Sequence, residues 1–165
     1  MQLTDILPID DWLSFQEEVD RTFGTGPSIY DAEGRQATRY ECEGNPVCQA
    51  IRGVPDGGTQ ICARSHQTIM AMAQRQRGTV IEECDAAMVK VIVPIFADDE
   101  FVGAAGVCGL LWHDEEVDAF YVSKVTGIPE ADIEDLAQTT KRLTRTEAET
   151  IAEFMAARIK AATTG

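Results

Sequence analysis

The residues whose types could do chemistry are five cysteines, Cys42, Cys48, Cys62, Cys84 and Cys108. Stretches of 5, 13, 21 and 23 residues separate them. No C-x-x-C pair exists, so zinc ribbons, ferredoxin-like runs and thioredoxin-type redox motifs are excluded as local motifs. Four thiols gathered by the fold could still hold a metal, because thiolates select zinc, copper(I) and iron–sulfur iron. The competing reading is packing, since free cysteine is among the most buried residue types. Cys108, between Val107 and Gly109 in an apolar stretch, fits packing well.

His66 follows Cys62 by four residues, which on a helix puts both on one side. That spacing suits a ligand pair, or a thiol with a base for an enzyme built on Cys62, with basic Arg64 nearby. A lone helical histidine is also a common surface or capping residue. Cys84, flanked by Glu83 and Asp85, is a poor nucleophile because carboxylates raise a thiol's pKa. His113, next to Trp112, has the context of a cap or turn. No Ser–His–Asp pattern, P-loop or Rossmann fingerprint is present. The Gly103-x-x-Gly106-x-x-Gly109 run lacks the Lys and the helix that a phosphate cradle needs.

Composition bounds what these residues can serve. The chain has 165 residues, 44% hydrophobic and 25% charged, values of an ordinary globular domain that needs no staples. With 14 Lys and Arg against 28 Asp and Glu the formal charge is −14, which argues against direct nucleic-acid binding. The acidic residues are scattered, as a solvated surface would have them. No apolar run approaches the ~18 residues of a membrane span. Met1–Asp5 carries no basic segment and no apolar stretch follows, so the expected setting is cytoplasmic, with reduced thiols.

The elements that must position the thiols can be read from pattern and punctuation. Asp10 and Asp11 offer an N-cap to a helix carrying Trp12, Phe15, Val19 and Phe23, stopped by Gly24 and Gly26. Ser28–Tyr30 reads as a short strand with a turn at Asp31–Gly34. Asn45-Pro46 opens a short helix with Val47, Cys48 and Ile51, broken at Gly53–Gly58. The central helix is expected from Thr59 to about Arg77, with Ile61, Ile69, Met72 and Ala73 on one face. Strands follow at Thr79–Ile81, at Met88–Phe96, where Pro94 requires an edge or bulge, and at Phe101–Leu111, with a hairpin turn at Asp98–Glu100. Three glycines in the last strand predict close approach by a ligand or another element. Helices are expected at Glu115–Thr126, Glu130–Gln138 and Thr144–Ala162. The order is α+β, a PAS/GAF-like, mainly antiparallel sheet covered by helices, with the N- and C-terminal helices packing together in one domain, 1–165.

At these same residues the chain resembles the PocR-type sensory domain. The resemblance is carried by Asn45-Pro46-Val47-Cys48, by Gly58 to Cys62, by Cys84-Asp85-Ala86-Ala87-Met88 before Val93-Pro94-Ile95, and by the Asp98–Gly103 hairpin. The Trp12 helix leading into Phe23–Gly26 and the Tyr30–Gly34 turn also match. These motifs cover about residues 10–125, with 126–165 a helical extension towards an output module. The resemblance implies a PAS-like pocket in prokaryotic signal transduction for simple hydrocarbon derivatives, with thiols at Cys48, Cys62 and Cys84. Where the family pattern reads Cys-His-Ala-Gly-Leu, this chain has Cys84-Asp85-Ala86-Ala87-Met88, losing the His and the Gly. Cys42 and Cys108 are additions.

The resulting expectation is a non-enzymatic sensory domain that binds a small molecule or a metal in a pocket lined by Cys48, Cys62, Cys84 and Cys108, with His66. The four cysteines are the candidate ligands of an iron–sulfur cluster or of a single Zn or Fe ion, leaving Cys42 spare. Its output would pass to a protein or domain outside this chain. A homodimer could form through the Trp12 face and the Ile151/Phe154/Ile159 face. The alternatives are a thiol-dependent enzyme using Cys62 with His66, and an acidic docking module with structural cysteines.

Overall fold

The computed structural model describes residues 1–40 and 45–164, so Cys42 lies outside the described residues. The elements are α1 (Leu3–Ile6), α2 (Ile9–Phe23), β1 (Ser28–Asp31), α3 (Pro46–Arg52), α4 (Pro55–Gly57), a π-helical segment (Gly58–Ala63), α5 (Arg64–Gln76), β2 (Val80–Glu83), β3 (Val89–Ala97), β4 (Glu100–Trp112), α6 (Ala119–Thr126), α7 (Glu130–Ala137), β5 (Arg142–Leu143) and α8 (Arg145–Thr163). The sheet runs β1-β4-β3-β2 with antiparallel pairing, and β5 adds a short parallel pair to the end of β4. This is the α+β, mainly antiparallel, helix-covered architecture expected from the sequence.

Local chemistry accounts for most boundaries. Asn45 caps α3 by accepting from the Val47 N–H at 2.7 Å, with Pro46 at the first helical position. Asp98 and Asp99 both have positive φ and form the two-residue β3–β4 turn, whose twist matches that of the strands. Pro94 is tolerated because β2 pairs with β3 only as far as Ile92, leaving that side of the strand free of ladder bonds.

Several boundaries depart from the sequence reading. Asp10 and Asp11 lie inside the first turn of α2, whose cap position is Pro8. Helical structure in the centre starts at Pro55, four residues early, and runs through the π-helical segment into α5. There Met70 is buried and Met72 only partly so. Helix α6 starts at Ala119, not Glu115, because the Asp118 side chain caps it by accepting from the Tyr121 N–H. The short elements α1 and β5 carry too little pattern to have been foreseen.

Period-two alternation divides the sheet into two faces. On one face Val89, Val91, Val93 and Ile95 of β3 meet Trp12, Phe15 and Val19 of α2 and Ile151, Met155 and Ile159 of α8 in one core. The terminal helices also touch each other, through an edge-on Phe23–Phe154 pair at 5.2 Å and an Arg158–Glu18 ion pair at 2.8 Å. Trp12, Ile151 and Ile159 are buried against the chain's own sheet, and Phe154 is partly buried beside them.

Candidate functional site

The second face of the sheet carries the chemistry. Ser28 and Tyr30 of β1 pair with Gly106 and Ala104 of β4, and Ile92 of β3 pairs with Gly106 from the other side. Lys90 and Cys108 lie two residues from Ile92 and Gly106, so they share that face. Above it lie α3, the π-helical segment and α5, which contribute Cys48, Cys62 and His66. Cys84 sits in the turn between β2 and β3, where its N–H donates to the Met88 carbonyl at 2.9 Å.

The fold therefore brings all four candidate thiols to one region, and none is in a disulfide. Cys48, Cys62 and Cys84 pack against the cluster containing Ile51, Ile61 and Met88. The Cys48 Sγ is 3.9 Å from the Met88 Sδ. Cys108 corrects the packing expectation: it is exposed, because its β4 position faces a cleft instead of the core. The close approach predicted at the β4 glycines comes from other elements. Gly109, at φ +77, would place a Cβ only 3.0 Å from the Cys48 Sγ, and the Asn45 amide donates to its carbonyl at 2.6 Å.

The cleft encloses about 730 Å³ and is lined by Cys48, Arg52, Gly106 and Cys108 on one side of the sequence and by Thr139–Lys141 on the other. Gly24–Gly26, at the exit of α2, also border it. It thus reaches both the end of α2 and the segment that feeds β5 and α8.

Burial keeps Cys48, Cys62 and Cys84 protonated. Burial pushes Cys48 up to about 12, reinforced by Cys108, Cys84 and Cys62 and opposed by Arg52. Burial also raises Cys62, with a contribution from Cys84, and it raises Cys84 against the pull of the Met88 and Ala86 N–H groups. The mutual influence shows that the four sulfurs share one environment. Among the described residues, however, no three His, Cys, Asp or Glu side chains converge on a point where one metal ion could sit. The arrangement as it stands does not fit a single zinc or iron ion.

His66 is not the surface or capping residue a lone helical histidine commonly is. It is 9% exposed, its ring lies 4.0 Å from that of Tyr30, and neither nitrogen has a hydrogen-bond partner of acceptable geometry. Burial, helped by the Lys90 ammonium, lowers its pKa to about 4, with the nearby Gly34 backbone acting the other way. Burial likewise raises the Tyr30 phenol, with Cys108 adding to the effect. Tyr30, Lys90 and Arg52 were not foreseen as site residues. The available signal was Lys90, a lone charge in the apolar run Met88–Phe96.

The turn beneath Cys84 yields a prediction. Ala87 adopts φ +61, in the left-handed region, at the position where the resembled pattern has glycine. That conformation costs an L-residue roughly 1–2 kcal/mol, and glycine's extra unfolded-state freedom offsets about 0.4–1 of it. Ala87→Gly is expected to stabilise the protein by about 0.5–1 kcal/mol, seen as a higher denaturant midpoint at constant slope. An unchanged or lower midpoint would contradict a strained turn.

No helix among the described residues is long and apolar enough to cross a membrane. No curated protein and no solved structure matches the chain at a significant level. A family model for the sensory domain found in PocR does match, over residues 5–162, taking in the helices beyond residue 125 as well as the thiol-bearing region. The chain therefore belongs to the PocR sensory-domain family.

Proposed function

We propose that the chain is a non-enzymatic receptor that binds a small molecule in the cleft between the second sheet face, α3 and the Thr139–Lys141 segment, with Cys48 and Cys108 lining the ligand and not reacting with it. The observation that carries this reading is the cleft itself, floored by Gly106 and Cys108 and walled by Cys48 and Arg52. Its size falls in the range of small-molecule sites, roughly 300–1,000 Å³. The protonation states support binding over catalysis, since Cys62 is raised and His66 lowered, the reverse of a thiolate–imidazolium pair.

Occupancy would reach the output through the Thr139–Lys141 wall, which continues directly into β5 and α8. Only a ligand with different affinity for two packings of these elements can transmit a signal. An output protein or domain would read that change, and unpaired thiols suit a cytoplasmic, reducing setting.

The test combines oxygen-free purification with a panel of small alcohols, aldehydes and acids. Colourless protein free of iron and zinc, whose thermal midpoint rises with at least one compound, is the expected result. Stoichiometric iron or zinc would replace the reading with a thiol-held metal centre. A flat response across the panel would remove it. Labelling of Cys62 no faster than a free thiol at any pH is expected, and a reactive Cys62 would restore the enzyme reading.

A further inference from the structure

The two ends of the sheet are finished differently. β1, at one end, has its outer side covered by the chain itself. There the Ala37 N–H donates to the Ile29 carbonyl at 2.8 Å, the Asp31 N–H donates to the Arg35 carbonyl at 2.9 Å, and Tyr30 bridges Gln36. β2, at the other end, has no such cover among the described residues. The Cys84 N–H is bonded to Met88 across the β2–β3 turn, so by the alternation of an antiparallel ladder Glu82 and Val80 bond inward to β3. The backbone N–H and C=O groups of Ile81 and Glu83 therefore point outward, a template for one more strand. Beside this edge lies a groove of about 400 Å³, with Thr79 and Ile81 on one side and Glu149, Ala152, Glu153 and Ala156 of α8 on the other.

Charge decides what can occupy the groove. Glu82, Glu83, Glu149 and Glu153 are exposed, and none has an ion-pair partner among the described residues. No basic residue lines the groove. Glu115 lies beside Glu83 and, with burial, raises its carboxyl above the ordinary value; Arg145 opposes this but is held over the Trp112 ring at 4.6 Å. Two copies paired through β2 would set Glu82 and Glu83 of each against those of the other, and facing like charges destabilise a strand pair. We propose that the β2 edge and its groove dock an extended basic segment of a partner protein, which adds a strand to β2 and lays alternate Lys or Arg side chains along α8. Such side chains match the groove at both ends, with apolar stems against Ile81, Ala152 and Ala156 and charged heads at Glu149 and Glu153. In strand addition the main-chain bonds supply affinity and the alternate side chains select the partner. Ile81 lies on the sheet face that α8 covers, opposite the cleft-bearing face, so the proposal does not depend on what the cleft binds.

The experiment uses the intact chain and fluorescent peptides of about eight residues, the span of a strand, with anisotropy read at about 0.15 M salt. A peptide alternating Lys and Val is expected to bind. Its Glu/Val counterpart is not, and neither is a Lys/Val peptide with central prolines, which cannot pair with a strand edge. Binding should slow amide exchange at Ile81 and Glu83. Glu149→Gln with Glu153→Gln should weaken it about fivefold, the size of two exposed ion pairs. Both positions are exposed, so the double variant should keep or raise its thermal midpoint. Equal binding of the proline peptide would mean unspecific attraction to a chain of charge −14 and would overturn the proposal. So would exchange protection elsewhere, full affinity in the double variant, or no binding of the Lys/Val peptide. A wild-type dimer in sedimentation that Ile81→Pro dissolves would give the edge to a second copy, with the same consequence.

Discussion

Trp12→Ala is expected to lower the unfolding free energy by about 3–5 kcal/mol, the usual range for deleting a fully buried large aromatic. Trp12 is 1% exposed, meets Phe15 edge-on at 6.1 Å, and lies in the core shared by α2, α8 and the sheet. Its indole N–H donates to the Leu3 carbonyl at 3.1 Å, so the truncation also releases α1 from the corner it forms with α2. At this chain length each kcal/mol moves the thermal midpoint by roughly 2–4 °C, so the fall should be about 10 °C or more. Trp12→Phe should lose much less, since it keeps most of the packing and forfeits only the hydrogen bond. A loss below about 1 kcal/mol for Trp12→Ala would place the α1–α2 corner outside the cooperative unit. The same substitution tests the relay, because it loosens α2 and α8 without touching any cleft residue.

Acidification should produce the second large effect, through His66. Its folded pKa, about 4, lies below the ordinary value of 6.5 that the unfolded chain displays. Between those values the unfolded state binds more protons, so stability rises with pH across the window. The contribution is complete above about pH 6.5 and is lost as the pH falls through 4. Its full size is on the order of 3 kcal/mol, from the shift and the near-complete burial of the ring. Many carboxylates titrate over the same range, so the wild-type curve alone does not isolate it. His66→Phe keeps a ring against Tyr30 and cannot titrate. The difference in unfolding free energy between the two proteins should therefore change by up to that amount between pH 7 and pH 4. Parallel curves would mean that His66 becomes charged in the folded state without penalty, through a conformation the packing against Tyr30 does not allow.

What could be read in advance followed how local the cause was. Asn45-Pro46, the Asp98–Asp99 turn and Pro94 each act through their own backbone, and each behaves in the fold as its type requires. Helix ends were less legible where a side chain three residues away sets them, as Asp118 does for α6. Cys48, Cys62 and Cys84, at the matching positions of a family pattern, pack against one hydrophobic cluster. Their protonation was not legible, since it depends on burial and on one another. Trp12 and Ile151 show the same limit from the other side. An amphipathic stripe says that a helix face is covered, but not whether the cover is the chain's own sheet or a second copy.

The sequence by itself determined the strand and helix order, the membership in a sensory family and the clustering of chemistry around Cys48, Cys62 and Cys84. Those properties rest on short-range pattern: periodicity, turn chemistry and motif order. Only the tertiary structure decided that Cys108 faces a cleft, that His66 is buried without partners, and that Lys90 is a buried charge among protonated thiols. These depend on which side of β3 and β4 is turned towards α3 and α5. One residue of register would reverse that choice, and no local signal in either strand sets it.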